Sequence, residues 1–185
     1  MSSVERTWLR SSRKSRPRWR RSPLRSTLPR PRGNRRGACV PPPPGAVLLD
    51  ANVFVSAIKS LPRVTGSFRL IVRLIDLGVR LVGNEVLAEE YLRYAQSLPS
   101  PTASALAASI LGSMEIIHVE DRFVRACAAY FGAGSAKDCV HAATCLQLGA
   151  ALVSNDHDFD SIGRAGVIRR MTVSEAIRQW IPRHT

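Results

Sequence analysis

Ala46-Val47-Leu48-Leu49-Asp50 is the stretch that decides the fold, because an unbroken apolar run ends there at an acidic residue. A short run that is wholly apolar predicts a strand that is buried on both faces. The pattern returns at residues 150–153, which are followed by Ser154-Asn155-Asp156. Both stretches predict strands of one parallel sheet, with polar side chains at the points where the strands end.

Helical and extended patterns alternate along the chain from residue 46 onward. Helices are predicted for residues 66–77, 85–97, 101–111, 122–131, 136–148 and 172–180, and further strands for residues 79–82, 115–119 and 166–168. Strands that alternate with helices predict an α/β fold in which helices cover both faces of a parallel sheet. In such folds the ligand binds beyond the carboxyl ends of the strands.

The net charge of +13 is concentrated at one end of the 185-residue chain. Residues 1–45 hold 13 of the 27 Lys and Arg residues and one acid, whereas residues 46–185 are almost neutral. A segment so rich in Arg, Ser and Pro buries too little apolar surface to offset the entropy cost of folding. We therefore expect a disordered basic tail over residues 1–45 and one folded domain over residues 46–185.

The role of this tail stays open at the level of sequence. Arg-rich tails bind the phosphates of nucleic acids, and the simpler alternatives are an inert extension or a start codon assigned too far upstream. A transit peptide fits less well, since Pro17, Pro23, Pro29 and Pro31 would interrupt its amphipathic helix.

Composition argues against several other classes of protein. No apolar run reaches the ~18 residues of a membrane span, and no apolar region follows the basic N-terminus as in a secretory signal. We therefore expect no membrane association. Four cysteines without a C-x-x-C pair predict reduced thiols in a cytoplasmic protein rather than a zinc site or a disulfide framework.

Four acids occupy positions that a parallel sheet would bring to one edge. Asp50 and Asp156 each follow a strand, Glu90 lies in the helix after the second strand, and Asp138 lies in the first turn of a later helix. Two carboxylates ~4 Å apart repel each other by ~4 kcal/mol at an effective dielectric constant of 20. Mg²⁺ or Mn²⁺ would relieve that repulsion, and such a site can orient water for hydrolysis of a phosphodiester.

Each acid also has a purely structural explanation. Asp50 could cap the next helix, Asp138 could form a capping box with Ser135, Asp156 could form an Asx turn, and Glu90 could be a surface charge.

Other polar side chains are interpreted conservatively. We expect His141 to be a packed histidine, with contact to a metal-bound water as the alternative, and His157 to be a loop residue. Arg164, Arg169 and Arg170 are expected on a solvated surface, with contact to RNA phosphates as the alternative.

The acidic motifs, taken in order, resemble those of the PIN domain family. Residues 47–53 resemble its opening strand followed by D-x-N-V, and residues 85–91 its second motif, an acid on the next helix. Residues 137–143 resemble the third motif, D-x-x-x-A-A, and residues 151–159 the fourth, a strand followed by S-N-D-x-D-F. The resemblance covers about residues 46–182.

This resemblance implies a three-layer α/β/α fold and a Mg²⁺- or Mn²⁺-dependent endoribonuclease, often the toxin of a type II, VapC-like toxin–antitoxin pair. Residues 46–185 would then be a PIN-like nuclease domain, with RNA as substrate and a small antitoxin as partner; a homodimer stays open. Matched positions imply the catalytic acids Asp50, Glu90, Asp138 and Asp156, metal ligation by Asp50, Asp138 and Asp156, and support from Asn52, Ser154 and Asp158. Asn84 departs from the Ser or Thr that is common before the second motif, but it can still cap the helix.

Two alternatives to a toxin stay open: a PIN-like RNA-processing nuclease outside a toxin–antitoxin system, and a non-catalytic α/β binding module. A phosphoryl-transfer receiver is disfavoured, because no Lys follows Val153 or Ile168 directly. A phosphatase would need a second Asp where Asn52 stands.

Helix phase distinguishes Glu90 from its neighbour Glu89. At about 100° per residue, Glu90 lies at the shoulder of the apolar face that contains Leu87 and Tyr91, and can point toward the rim. Glu89 lies on the solvent side, four residues before Arg93, and is expected to pair with that arginine.

Overall fold

A five-stranded parallel sheet organises the part of the chain that the computed structural model describes, which is residues 45–98, 100–132 and 134–181. The strands are β1 (Val47–Leu49), β2 (Leu81–Gly83), β3 (Met114–Ile116), β4 (Ala151–Val153) and β5 (Arg169–Met171). Their order across the sheet is β3-β2-β1-β4-β5. Except for Gly45, the predicted tail over residues 1–45 lies outside the described residues.

Helices connect the strands and cover the sheet. They are α1 (Ala51–Ile58), α2 (Gly66–Asp76), α3 (Glu85–Ser97), α4 (Pro101–Ser113), α5 (Asp121–Cys127), α6 (Ala136–Leu148), α7 (Asp160–Arg164) and α8 (Val173–Trp180), with 3-10 turns at Ala128–Tyr130 and His157–Phe159. Helix α2 packs between α1 and α8, whereas α5 packs on α6. The residues of β1, β2 and β4 are buried on both faces, so the predicted three-layer α/β/α fold is confirmed.

The register of the sheet places the ends of β1 and β4 side by side. Leu49 is opposite Val153, and the backbone N–H of Asp50 donates to the carbonyl of Val153 at 3.0 Å. One strand further on, the N–H of Ser154 donates to the carbonyl of Met171 at 3.0 Å. The first polar residues after both central strands therefore start from adjacent backbone positions.

Side-chain caps start several helices where the sequence predicts. The Oδ1 atom of Asn84 accepts from the N–H of Leu87 at 2.9 Å and begins α3, which confirms its capping role. Thr172 forms a capping box with Glu175 at the start of α8. Pro101 occupies the first turn of α4, which begins at the residue where the sequence predicts a helix.

The last strand was predicted at the wrong place. Residues 166–168 were expected to form it, but Gly166 has φ +70° and belongs to the turn after α7, so β5 begins at Arg169. Strand β5 lies at the edge of the sheet and is only partly buried, so it is not wholly apolar. It therefore lacks the unbroken apolar run that identified β1 and β4. The helix predicted for residues 122–131 is also shorter, because α5 ends at Cys127 and a 3-10 turn follows.

The remaining expectations about composition concern membranes and thiols. Nowhere in the described ranges is a helix both long and apolar enough to cross a bilayer. Cys127, Cys139 and Cys145 are buried free thiols, as predicted for that part of the chain. Burial raises the pKa of Cys127 to about 11, which keeps this thiol protonated at neutral pH. Cys39 lies outside the described residues.

Candidate active site

Asp50 and Ser154 form the centre of the polar cluster at the carboxyl edge of the sheet. Asp50 is only 6% exposed, and its Oδ2 accepts a hydrogen bond from the Oγ of Ser154 at 2.5 Å. Asp50 stands at the N-cap of α1 and makes no capping hydrogen bond of good geometry. Burial raises the pKa of the Asp50 carboxyl above its ordinary value, and the bond from Ser154 opposes that rise. The nearby backbone N–H of Asn52 also favours the charged form of this carboxyl and lowers its pKa.

Asn52 supports this pair from the first turn of α1. Its Nδ2 donates to the Oγ of Ser154 at 3.1 Å. Its Oδ1 is buried and has no hydrogen-bond partner among the described residues. A buried acceptor that finds no donor among the described residues is uncommon, and an ordered water would supply the missing hydrogen bond.

Asp156 and Asp158 follow β4 in a tight turn. The Oδ1 of Asp156 accepts from the N–H of Asp158 at 3.0 Å, so the predicted Asx turn is present. The backbone N–H of Asp156 donates to the Oγ of Ser154 at 2.9 Å. The turn therefore holds both acids next to the cluster around Asp50. Asp156 can form the Asx turn with one oxygen and still face the site with its carboxylate.

Arg170 anchors the same turn from β5. Its Nη2 donates to the carbonyl of Asp156 at 3.1 Å, and its Nη1 lies 3.0 Å from Oδ1 of Asp160. The side chain is 17% exposed, so the prediction of a solvated arginine is wrong at this position. The pairing of β5 with β4 brings Arg170 under the turn, and no local pattern in the sequence contains that information.

Asp138 joins the cluster from the first turn of α6. Burial, aided by the negative charges of Asp50, Asp156 and Asp158, raises the pKa of its carboxyl to about 6. Ser135 stands at the N-cap of α6 without a side-chain capping bond, so the capping-box interpretation is wrong. The structure therefore brings together the carboxylates that the motifs predict at three separate points of the chain.

Glu90 lies in a different electrostatic environment. Its Oε1 is 3.1 Å from Nζ of Lys137 and 3.6 Å from Nη2 of Arg93, and its Oε2 is 3.3 Å from Nε2 of His141. The contacts with His141 and then with Lys137 lower the pKa of Glu90 to about 2. Glu90 is therefore a half-buried, ion-paired carboxylate and not a surface charge.

The predicted ion pair between Arg93 and Glu89 on α3 is not formed. Arg93 instead lies next to Glu90, which Lys137 and His141 from α6 hold on that side of the helix. Glu89 is exposed, as predicted.

Sequence reasoning missed further contacts that hold the acids in place. The Tyr91 hydroxyl donates to the carbonyl of Leu49, immediately before Asp50, and so ties α3 to the end of β1. His141 was predicted as a packed histidine and is buried, but its contacts with Glu90 and Asn84 were not foreseen. A histidine among the small and apolar residues of α6 is the sequence signal that could have indicated a buried polar contact at His141.

The donor set fits a hard divalent cation. In the described ranges, no three His, Cys, Asp or Glu side chains are gathered closely enough to form a finished metal cage. However, besides burial, the charge of Asp156 contributes to the raised pKa of Asp50, and the charges of both contribute to the raised pKa of Asp138, so the three carboxylates lie within electrostatic reach of one another. Mg²⁺ retains several waters and needs only one or two direct carboxylate ligands, which such an open cluster can supply.

Comparison with known proteins gives a family and several similar structures. Residues 47–165 match the family model described as PIN domain. Among curated proteins, no sequence matches the chain significantly.

Three similar solved structures cover about the same part of the chain. VapBC2 from Rickettsia felis, bound to a DNA fragment from its promoter, is 16% identical with a TM-score of 0.49, over 69% of this chain and 98% of that chain. VapBC-1 from nontypeable Haemophilus influenzae is 15% identical with a TM-score of 0.47, over 70% and 98%. FitAB bound to an IR36 DNA fragment is 17% identical with a TM-score of 0.46, over 69% and 94%.

Proposed function

Because the chain belongs to the PIN domain family, whose members are nucleases, we propose that it is a metal-dependent endoribonuclease that hydrolyses phosphodiester bonds in RNA. The observation that carries the proposal is the link between Asp50 and the turn of Asp156, because the Ser154 hydroxyl donates to Oδ2 of Asp50 at 2.5 Å and accepts from the N–H of Asp156 at 2.9 Å. Asp138 adds a third negative charge within electrostatic reach of this pair. Glu90 is the fourth proposed catalytic acid.

Three carboxylates would hold Mg²⁺ or Mn²⁺: those of Asp50, Asp138 and Asp156. When bound, the cation would orient the hydrolytic water and neutralise charge on the phosphodiester. The unpaired Oδ1 of Asn52 is available to a water in the same site. Asp158 would support the cluster from the neighbouring turn.

The chain's own groups orient the acids and hold charge near them. Ser154 donates to Oδ2 of Asp50 and thereby restricts this carboxylate to one orientation. Lys137 and Arg93 place positive charge beside Glu90, where phosphates of an RNA strand could bind.

We extend the proposal to the biological role of a toxin that a small antitoxin protein inhibits. The order and spacing of the four acidic motifs, which are similar to those of VapC-like toxins, support this role. Expression of the wild-type chain in a bacterial host should arrest growth, and co-expression of a small protein encoded just upstream should restore it. Growth arrest without any inhibitory neighbour would favour an RNA-processing nuclease instead.

The activity itself is tested by cleavage of a mixed RNA pool with the purified protein. Wild type should cleave in Mn²⁺ and not in EDTA, and Asp50→Asn should not cleave in either. Saturation with Mn²⁺ at ~100 times its dissociation constant should stabilise wild type by ~2.7 kcal/mol and the variant by much less. Without metal, Asp50→Asn should melt at a higher temperature than wild type, because it removes one charge from a crowded site.

Asp76→Asn is the matched control, since Asp76 is an exposed carboxylate at the end of α2. It should cleave RNA and respond to Mn²⁺ like wild type. Equal metal-induced shifts in wild type and Asp50→Asn would contradict the metal site. Absence of any RNA cleavage by folded, metal-saturated wild type would favour the binding module.

A further inference from the structure

His141 is a polar side chain in the interior, only 1% exposed, and both of its ring nitrogens have a polar neighbour. Its Nδ1 lies 3.1 Å from Nδ2 of Asn84, and its Nε2 lies 3.3 Å from Oε2 of Glu90. A neutral imidazole has one donor and one acceptor nitrogen, so these neighbours decide which nitrogen carries the proton.

The orientation of the Asn84 amide is fixed by two contacts other than His141. Its Oδ1 accepts from the N–H of Leu87 at 2.9 Å, as the cap of α3. Its Nδ2 lies 2.8 Å from Oγ1 of Thr144, whose own hydroxyl proton is donated to the carbonyl of Val140 at 2.9 Å. Because Thr144 can then only accept from Asn84, the Nδ2 group is the end of the amide that faces His141.

The tautomer of His141 follows from that orientation. A ring nitrogen that faces an amide NH₂ group must accept, so Nδ1 of His141 carries no proton. The proton of the neutral ring is therefore on Nε2, which donates to Oε2 of Glu90. The contact between His141 and Glu90 is a hydrogen bond from a neutral ring, and the positive charge near Glu90 comes from Lys137 and Arg93.

We propose that Asn84 selects the Nε2–H tautomer of His141, and that His141 is a positioning residue that holds Glu90 at the rim of the active site. The positioning role rests on the proposed function, because it assumes that Glu90 takes part in RNA cleavage. Asn84 thereby has two tasks, since its Oδ1 begins the helix that carries Glu90 and its Nδ2 sets the side chain that orients Glu90.

Asn84→Asp separates these two tasks. Aspartate caps a helix as well as asparagine does, so α3 should still begin at the same place. However, Asp offers an acceptor where the Nδ2 donor was, and this favours a proton on Nδ1 of His141. Gln96→Glu is the matched control, because it adds the same charge to the exposed face of α3.

The tautomer is measured by ¹⁵N NMR of the full chain labelled at histidine, with His141→Gln to assign the signal. Wild type and Gln96→Glu should show an unprotonated, pyridine-like Nδ1 and a protonated Nε2 at His141. Asn84→Asp should show a protonated Nδ1, and the Nε2 signal then tells the other neutral tautomer from a doubly protonated ring. A protonated Nδ1 in wild type at neutral pH would overturn the tautomer assignment, whether or not the protein cleaves RNA.

The positioning role is measured by steady-state cleavage of an RNA substrate. If the NMR signal shows that Nε2 has lost its proton, Asn84→Asp should lower kcat roughly 10–100-fold with little change in KM, whereas a doubly protonated ring should keep kcat near that of wild type. His141→Gln keeps an N–H group for Glu90 and should retain more activity than His141→Leu at equal folded concentration. An unchanged kcat in a variant whose tautomer has switched would overturn the positioning role.

The two proposals fail in different ways. If wild type cleaves no RNA, the proposed function is wrong, whereas the NMR signal of His141 still decides the tautomer. If wild type cleaves RNA and His141→Leu is as active as wild type, the nuclease proposal stands and the positioning role is wrong.

Discussion

Ser154 connects three parts of the candidate site through one hydroxyl group. Its Oγ donates to Asp50 and accepts from Asn52 and from the backbone N–H of Asp156. A hydroxyl can donate one hydrogen bond and accept two, so this fully buried serine makes all the hydrogen bonds that its side chain can form. A single small residue after β4 thus orients the acid that follows β1.

The raised pKa of Asp138 leads to a prediction about how the free energy of unfolding depends on pH in metal-free buffer. Burial, aided by the neighbouring carboxylates, raises its pKa from 3.8 to about 6. Between about pH 4 and pH 6 the folded protein therefore keeps a proton that the unfolded chain releases. The contribution of Asp138 to the free energy of unfolding should fall as pH rises through that window.

Denaturant unfolding in EDTA, at about pH 4.5 and about pH 7, measures this effect. Asp138→Asn cannot ionise, so it should lose less stability than wild type between the two pH values. Asp76→Asn, at an exposed position, should follow wild type. Parallel losses in wild type and Asp138→Asn would contradict a crowded anionic site around this residue.

At the scale of elements, α3 presents two adjacent glutamates to different surroundings. Glu90 is 14% exposed and faces Lys137 and His141 of α6, whereas Glu89 faces solvent. The helix period of about 100° per residue produces this difference, and the contact between α3 and α6 gives Glu90 its partners.

Glutamine substitutions at the two positions should therefore have unequal effects on cleavage of a mixed RNA pool with Mn²⁺. Glu90→Gln should lower activity by orders of magnitude while the domain stays folded. Glu89→Gln should leave activity unchanged and alter stability by less than about 0.5 kcal/mol. The reverse ranking, at equal folded concentration, would transfer the proposed catalytic role to Glu89.

Strand β5 supplies the support for the acidic turn after β4. Arg170 joins the Asp156 carbonyl to the Asp160 carboxylate, and both contacts are charge-assisted. The side chain also packs across Gly163, where an added Cβ would lie 3.1 Å from Cβ of Arg170. The edge strand thus restrains the turn that carries Asp156 and Asp158.

Arg170→Gln should destabilise the domain by about 1.5–3 kcal/mol, the range for hydrogen bonds to charged groups. It should also weaken stabilisation by Mn²⁺, because the turn with Asp156 is less restrained. Thermal melting with and without Mn²⁺ measures both effects. Arg178→Gln, on the exposed side of α8, is the control, and an equal response of both variants would contradict the anchoring role.

At the scale of the whole molecule, we predict that the domain folds without the basic segment over residues 1–45. Among the described residues the buried core begins at Ala46, and the family match begins at residue 47. If the chain is the ribonuclease proposed above, the nearly neutral charge of residues 46–185 favours recognition of a limited RNA site over a general nucleic-acid coat.

A variant without residues 1–45 should therefore keep the melting temperature and the cleavage rate of the full chain. Circular dichroism and the mixed-RNA assay, both at about 150 mM salt, measure these properties. A tail that binds RNA would instead appear as a rise in KM on deletion that grows at low salt. A truncated chain that does not fold would contradict the boundary near residue 46.

Local signals were sufficient for much of the fold. Wholly apolar runs identified β1 and β4, helix periodicity and caps identified α3, α6 and α8, and the acids after the strands indicated where to look for a site. These features are decided by neighbours in the chain, since burial on both faces, capping and helix period each leave a mark within a few residues. The order of the acidic motifs also identified the PIN family, which the family match confirms. The catalytic and metal-binding roles stay predictions.

Tertiary structure alone decided which side chains meet. Ser154 reaches Asp50 across 104 residues, His141 reaches Glu90 across 51, and Arg170 supports a turn on the neighbouring strand. Such contacts depend on strand order and helix packing, so no short stretch of sequence encodes them. The edge position of β5 likewise removed its apolar pattern and displaced the predicted strand. Residue types and spacing determined which groups were available, and the packing of distant elements determined their partners and therefore their charge states.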